Sequence, residues 1–214
     1  MRNSSYELSN LDTILTLPWQ TSVMALASSC REAGLAFMNE SRHWGKAELA
    51  MWLIGPYAQI LRYTSVLADR ASRQPEDIDR IGQIDARLVD RILENARSEV
   101  ISTLETLSSE EDGASFAFSM IAAEYVVHCT DKSGGVGWAP SGRPRRLADR
   151  VLSLFAADFL TRPAGLEADL SVCSVCGSVE FDRSVRARGM CARHLSVITA
   201  NARRNTLPYF PDAG

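Results

Sequence analysis

The chain has 214 residues, of which 46% are hydrophobic and 23% charged, and its formal net charge is −3. This composition is typical of one globular domain, or of a domain with a small module, and it argues against a protein whose whole surface grips nucleic acid. No apolar run reaches the roughly 18 residues of a membrane span, and the N-terminus lacks the features of a signal peptide. We therefore expect a cytoplasmic protein with no membrane partner.

The charge is distributed unevenly along the chain. Residues 1–139 carry 12 basic and 19 acidic residues, whereas residues 140–214 carry 11 arginines and 7 acidic residues. The C-terminal third is therefore the part that favours an anionic partner. Lys46 and Lys132 are the only lysines among the 23 basic residues, a bias that indicates a GC-rich, bacterial genome rather than a functional device.

Hydrophobic periodicity predicts a mainly α-helical body of four to five helices. In chain order, the first three helices are expected to begin at Pro18, Lys46 and Pro75. The last two are expected to cover residues 114–129 and 145–160. Pro56 should kink the second helix, because proline lacks a backbone N–H and clashes with the preceding turn. Outside the C-terminal region, the sequence shows no convincing alternation of the kind that predicts a strand.

Four potential metal ligands lie close together near the C-terminus. Cys173 and Cys176 are separated by two residues, as are Cys191 and His194, and 14 residues lie between the pairs. Thiolates and imidazole suit Zn²⁺, which structural sites hold with four tetrahedral ligands. The alternatives are weaker, because a redox CxxC motif needs a thioredoxin-like βαβ context and iron–sulfur clusters use histidine less often. Four protein ligands close the coordination shell, so we expect the Zn²⁺ to be structural rather than catalytic.

The residues around these ligands predict two turns, a strand and a helix. Gly177 follows the first pair of ligands and Gly189 precedes the second, and glycine allows the positive φ that tight turns need. The segment SVEF, residues 178–181, has strand character. The segment CARHLSVITANARR, residues 191–204, is predicted to be a helix. Cys191 and His194 are three residues apart and therefore share one face of it.

This arrangement resembles the treble-clef type of zinc finger over residues 171–205. In that family a zinc knuckle supplies two ligands, a β-hairpin follows, and the first turn of a helix supplies the other two. The resemblance implies that Cys173 and Cys176 form the knuckle and that Cys191 and His194 belong to the helix, although the family usually has cysteine as its last ligand. Treble clefs occur in proteins of many functions, so the resemblance points to a metal more than to an activity.

The chain therefore reads as a helical body joined to a small C-terminal module. Four glycines and two prolines in KSGGVGWAPSGRP indicate a hinge. The expected divisions are the body 1–131, the hinge 132–144, a helix and connector 145–170, the zinc module 171–205 and a tail 206–214.

The sequence favours a non-enzymatic interaction, adaptor or regulatory protein whose zinc module presents a protein-binding surface. The alternative is a regulator or complex subunit that contacts DNA or RNA through an arginine-rich face of the module. The candidate residues of this face are Arg183, Arg186, Arg188, Arg193, Arg203 and Arg204. Acidic residues interrupt the face, and few aromatic side chains are present for base stacking. The alternative that these arginines form only a solvated surface is therefore retained.

A third hypothesis is an enzyme that uses the helical bundle as a pocket. It depends on convergence of two pairs, Glu40 with His43 and Glu124 with His128, which the sequence places on two different helices. Only the first pair has the Glu-x-x-His spacing of di-iron bundles. A catalytic Cys129 has no motif behind it, and buried free cysteine is the usual case for a thiol in an apolar stretch.

Overall fold

The structure is a computed structural model of the chain. The residues that it describes are 18–68, 84–110, 113–130, 136–162, 169–182 and 187–197. The fold is mainly helical, with two small antiparallel hairpins, and this confirms the expected helical body with a small appended module.

The elements follow one another in this order. The helices are α1 (Trp19–Glu40), α2 (Lys46–Trp52), α3 (Ala58–Leu67), α4 (Ala86–Glu110), α5 (Gly113–Ala122), α6 (Leu147–Thr161) and α7, of which residues 192–197 are described. The strands are β1 (Val126–Thr130), β2 (Val136–Pro140), β3 (Leu170–Val172) and β4 (Val179–Phe181). Within the described ranges, no helix combines the length and the hydropathy needed to cross a bilayer.

Helix α6 lies at the centre of the body. Residues 148–158 are buried without exception, so other elements surround this helix on all sides. Helix α1 crosses it at close range, because a Cβ atom at Gly34 would lie 2.9 Å from Cζ of Phe155. The segment around α2, by contrast, exposes Met51 and Ile54 to solvent.

At Pro56, where the sequence predicts a kink, a short π-helical segment, Leu53–Tyr57, lies between α2 and α3. A widened turn accommodates a residue that cannot donate a backbone hydrogen bond. Trp52, just before the segment, packs into the core and donates its indole N–H to the carbonyl oxygen of Ala33 at 3.1 Å. Its ring stacks on that of Tyr57, with centroids 5.4 Å apart, so the irregular turn is held by buried aromatic packing.

Helix α4 packs one apolar stripe against the body. The buried residues of this stripe are Val89, Leu93, Ala96, Val100 and Leu104. Leu88, in the neighbouring stripe, is 45% exposed. The expected start of this helix at Pro75 lies outside the described residues.

The expected helix over 114–129 is wrong in its second half. Helix α5 ends at Ala122, and β1 then pairs antiparallel with β2, with Val126 opposite Pro140 and Thr130 opposite Val136. A Schellman-type turn ends the helix, because Glu124 adopts a positive φ of 56° and the N–H of Tyr125 bonds to the carbonyl oxygen of Met120 at 2.9 Å.

The second strand of this hairpin occupies residues 136–140 of the segment expected to be a hinge. Its glycine has a packing role, because Gly137 approaches Val23 of α1 so closely that a Cβ atom would overlap the valine side chain. Trp138 donates its backbone N–H to Oγ1 of Thr161 at 3.1 Å, which joins the strand to the end of α6.

Candidate metal centre

The first pair of ligands lies in the turn between β3 and β4. The N–H of Cys173 donates to the carbonyl oxygen of Ser178 at 2.8 Å, and the N–H of Gly177 donates to the carbonyl oxygen of Cys173 at 2.7 Å. Gly177 has a φ of +60°, as the sequence predicts. The resemblance placed the hairpin after the knuckle, whereas the described strands flank it, so the tight turn that holds Cys176 also joins the two strands.

The second pair lies at the start of α7. The backbone N–H groups of His194 and Leu195 both donate to the carbonyl oxygen of Cys191 at 3.0 Å, which forms the first helical turn. Gly189, two residues earlier, has the expected positive φ of +65°. The backbone N–H and the hydroxyl of Ser174 both donate to the carbonyl oxygen of Gly189, at 3.1 and 3.0 Å. These bonds hold the two pairs of ligands side by side.

The four side chains converge on one point. One ligand atom from each of Cys173, Cys176, Cys191 and His194 lies within 4.8 Å of all the others. The distances are 3.6 Å from Cys173 Sγ to His194 Nδ1, 3.8 Å from Cys176 Sγ to Cys191 Sγ, and 3.2 Å from Cys191 Sγ to His194 Nδ1. A tetrahedral Zn²⁺ with ordinary bond lengths separates two sulfurs by about 3.8 Å and a sulfur from a nitrogen by about 3.6 Å. The group therefore fits a metal ion such as Zn²⁺.

The cysteines of the group have divergent tendencies to ionise. Burial raises the pKa of the Cys173 thiol, but hydrogen bonds from the backbone of Cys191, Cys176 and Val175 outweigh it and lower the pKa to about 6. Burial and the neighbouring thiols raise the pKa of Cys191. Three thiolates so close together repel one another, and a divalent cation removes that repulsion.

A buried arginine lies beside the cluster. Arg97 is 7% exposed and donates to the carbonyl oxygen of Met38 and to the hydroxyl of Ser41. Burial, followed by the charge of Arg42, lowers the pKa of Arg97 to about 10, while Cys176 acts in the opposite direction. Three thiolates and one histidine around Zn²⁺ carry a net charge of −1, so this guanidinium, which stays cationic at neutral pH, complements a metal-loaded site.

Asn39 joins the module to the body, although no sequence motif marked it. Its side-chain amide donates to the carbonyl oxygen of Val179 and accepts from the N–H of Val179, both at 3.0 Å. Val179 is buried and faces Val172 across the hairpin. The Asn39 side chain thus provides hydrogen-bond partners for the backbone N–H and carbonyl groups at the outer edge of β4.

A second contact between module and body is a cation–π contact, which a buried ionic network within the body supports. Asp158, whose side chain is 1% exposed, accepts from Nε of Arg31 and from Nε of Arg162, both at 2.8 Å. The guanidinium of Arg31 also lies 4.2 Å from the centre of the Phe181 ring. This network links α1, α6 and β4. Sequence periodicity gives no signal for it, because it depends on residues more than a hundred positions apart.

Two of the candidate arginines are described, and both are exposed: Arg188 and Arg193. Neither forms an ion pair with another residue of the described ranges. Arg183, Arg186, Arg203 and Arg204 lie outside the described residues.

The alternative pairs do not form a second centre. His43 lies exposed in a short 3₁₀ turn, and burial raises the pKa of the nearby Glu40. Glu124 lies in the turn after α5 and forms an ion pair with Arg143. His128 lies on β1 rather than on a helix, and its ring contacts that of Trp138. In the described part of the chain, the only group of three or more potential metal ligands is the Cys₃His cluster.

The two remaining cysteines are buried free thiols, as expected. Cys30 is fully buried on α1 and Cys129 is 1% exposed on β1. Burial raises the pKa of Cys30 well above its ordinary value and that of Cys129 to about 11. A nucleophilic cysteine needs a lowered pKa and solvent access, so neither thiol has the character of a catalytic group.

In the comparisons with known proteins, no family model, no curated protein and no solved structure matched this chain.

Proposed function

We propose that Cys173, Cys176, Cys191 and His194 bind one structural Zn²⁺ in a treble-clef-like finger, and that the protein is a non-enzymatic bacterial interaction or adaptor protein of the cytoplasm. The observation that carries the metal assignment is the near-tetrahedral spacing of three sulfur atoms and one nitrogen atom. Four protein ligands leave no open position on the ion for water or substrate.

The role of the metal follows from the size of the module. The described strands of the hairpin contain three residues each, and an isolated two-stranded hairpin is marginal at best in water. Metal binding supplies folding free energy to such units. The ion would therefore fix the knuckle and the start of α7 in one arrangement and so give the module a rigid outer surface.

That outer surface combines apolar and cationic groups. Val175 at the tip of the knuckle is 59% exposed, and Val197 on α7 is 52% exposed. Arg188 is next to Gly189, which Ser174 of the knuckle contacts, so an exposed cation lies near the apolar tip. Exposed apolar side chains with arginine are typical of protein-binding surfaces, in which arginine is enriched and lysine depleted. This supports a protein partner with an acidic and apolar contact surface.

Nucleic acid is the second candidate, and the exposed Arg188 and Arg193 favour it. The described module offers one aromatic side chain, Phe181, and that ring packs against Phe155 and Arg31 rather than facing a ligand. Without stacking groups, binding would rest on phosphate contacts and would weaken steeply with salt. Replacing both arginines with alanine would then make the plot of log affinity against log salt concentration less steep, by about 0.9 for each phosphate that an arginine neutralises.

A quantitative pull-down separates these functions. The tagged, zinc-loaded protein is compared with the double variant Val175→Asp, Val197→Asp and with the matched control Val66→Asp, which changes a valine that is 54% exposed on α3. A protein-binding module predicts a discrete set of proteins that the double variant fails to recover, the control keeps, and nuclease does not affect. Recovery of nucleic acid, or of partners that nuclease removes, would instead support the arginine face. Equal recovery by all three proteins would refute a partner site at the module.

A further inference from the structure

The helical body contains a groove between α2, α4 and the start of α6. Its volume is about 520 Å³, within the range of about 300–1,000 Å³ that is typical of small-molecule sites. The floor is apolar: the half-buried side chains of Ile84, Ile92 and Leu147 are open to solvent, and the buried side chains of Leu49, Leu53, Val89 and Ala96 complete it. None of its described lining residues belongs to the zinc module, so the groove is independent of the function proposed above.

One side of the groove is cationic. Its described lining includes three arginines, Arg145, Arg146 and Arg150, and one acidic residue, Glu99, which gives a net charge of +2. Glu99 pairs with Arg146. Arg145 is exposed and forms no ion pair within the described ranges, whereas Arg150 is 5% exposed and is fixed by a bond from its Nε to the carbonyl oxygen of Pro144 at 2.9 Å.

The helix geometry adds to this positive field. Leu147 and Ala148, the first two residues of α6, line the groove, and the N-cap residue Arg146 makes no side-chain capping hydrogen bond. The N-terminus of a helix carries a partial positive charge. Asp149, also in the first turn, accepts from the hydroxyl of Tyr125 at 3.2 Å and is not among the lining residues.

We propose that this groove binds a small amphipathic anion, with a carboxylate or phosphate group beside the arginines and an apolar body along the floor. An uncharged apolar ligand would leave the cationic side unused. A small hydrophilic anion would leave the apolar floor in contact with water. Only a ligand with both parts satisfies the two halves of the groove at once.

Calorimetric titration of the full-length, zinc-loaded protein tests the two halves separately. The probes are butanoate, hexanoate and octanoate, with octyl phosphate and 1-octanol as ligands of the same chain length but different head groups. Burial of each methylene group strengthens binding by up to about fourfold, so octanoate should bind up to about 16-fold more tightly than hexanoate. We expect 1-octanol to bind at least about tenfold more weakly than octanoate, and the ratio of octyl phosphate to octanoate identifies the preferred head group.

The variant Arg145→Glu tests the location of the site. Arg145 is exposed, so the change should leave folding intact, and reversal of its charge should weaken octanoate binding by about tenfold. The matched control Arg62→Glu reverses an exposed charge on α3, outside the groove, and should bind as the wild type does. In addition, NMR should show NOEs between the terminal methyl group of octanoate and the methyl groups of Ile92 and Leu147, which are the partly exposed apolar side chains of the floor.

Three results would overturn the proposal. The first is an affinity that does not increase with chain length. The second is equal binding of octanoate by the wild type and Arg145→Glu. The third is octanoate that binds without any NOE to the floor of the groove.

Discussion

The substitution Asn39→Ala tests how the zinc module is attached to the helical body. In the wild type, the Asn39 side chain pairs with both the N–H and the carbonyl oxygen of Val179, each at 3.0 Å. Alanine can make neither bond. Because Val179 is fully buried, the change leaves one donor and one acceptor at the outer edge of β4 without a partner.

The magnitude follows from these two groups. A buried backbone donor or acceptor that loses its partner costs about 1–3 kcal/mol. Asn39 itself is exposed, so water can reach part of the vacated space and the lower half of the range applies to each group. We expect the free energy of unfolding to fall by about 2–4 kcal/mol, measured by urea denaturation.

Two further measurements make this prediction specific. Hydrogen exchange at the Val179 amide should accelerate, while zinc content should stay unchanged because no ligand is altered. The control Asn95→Ala removes an exposed asparagine of α4 and should change stability by less than about 0.5 kcal/mol. If Asn39→Ala is as stable as the control and the Val179 amide stays protected, the proposed attachment is wrong.

Four other predictions concern the metal centre and the core. Gly177→Ala should destabilise the protein by about 1–3 kcal/mol in thermal unfolding, because φ is +60° and the new Cβ would lie 2.5 Å from Cδ1 of Ile101, whereas Gly55→Ala has nothing within 4 Å and should be nearly neutral. Cys176→Ser should abolish stoichiometric zinc binding in elemental analysis but keep most of the far-UV helical signal, and a global loss of helix would show that the module and body do not fold separately. At pH 8 the thiol of Cys129, with a pKa raised to about 11, should stay protonated and resist a thiol reagent until denaturant is added. A chelator alone should make only the three cysteines of the cluster reactive toward the thiol reagent. Bound zinc should be released as pH falls from 7 to 5, because protons compete with the metal for the ligands.

The sequence predicted those features that depend on local chemistry. The ligand spacing, the two glycines with positive φ and the apolar stripe of α1 are all present in the structure. An irregularity at Pro56 was also predicted, because the loss of one backbone N–H acts on the residue's own turn, and the structure has a π-helical segment there. Such features do not require knowledge of what packs against them.

The features that the sequence did not reveal depend on distant partners. Residues 126–129 were predicted to be helical because they continue an apolar run. In the structure Glu124 takes a positive φ, and the strand that follows pairs with β2, which begins ten residues after β1 begins. The sequence pattern did not predict the central position of α6 for a similar reason. Its buried polar residues are satisfied by partners such as Arg31 and Tyr125, which no pattern within the helix can indicate.

X-ray absorption at the zinc edge, on protein purified without added metal, tests the central claim most directly. We expect one Zn²⁺ per chain with three sulfur ligands at about 2.3 Å and one nitrogen ligand at about 2.0–2.1 Å, and with no oxygen ligand. Absence of bound metal would contradict the assignment of Cys173, Cys176, Cys191 and His194 as its ligands. An oxygen ligand in the shell would contradict the structural role and favour catalysis at the metal.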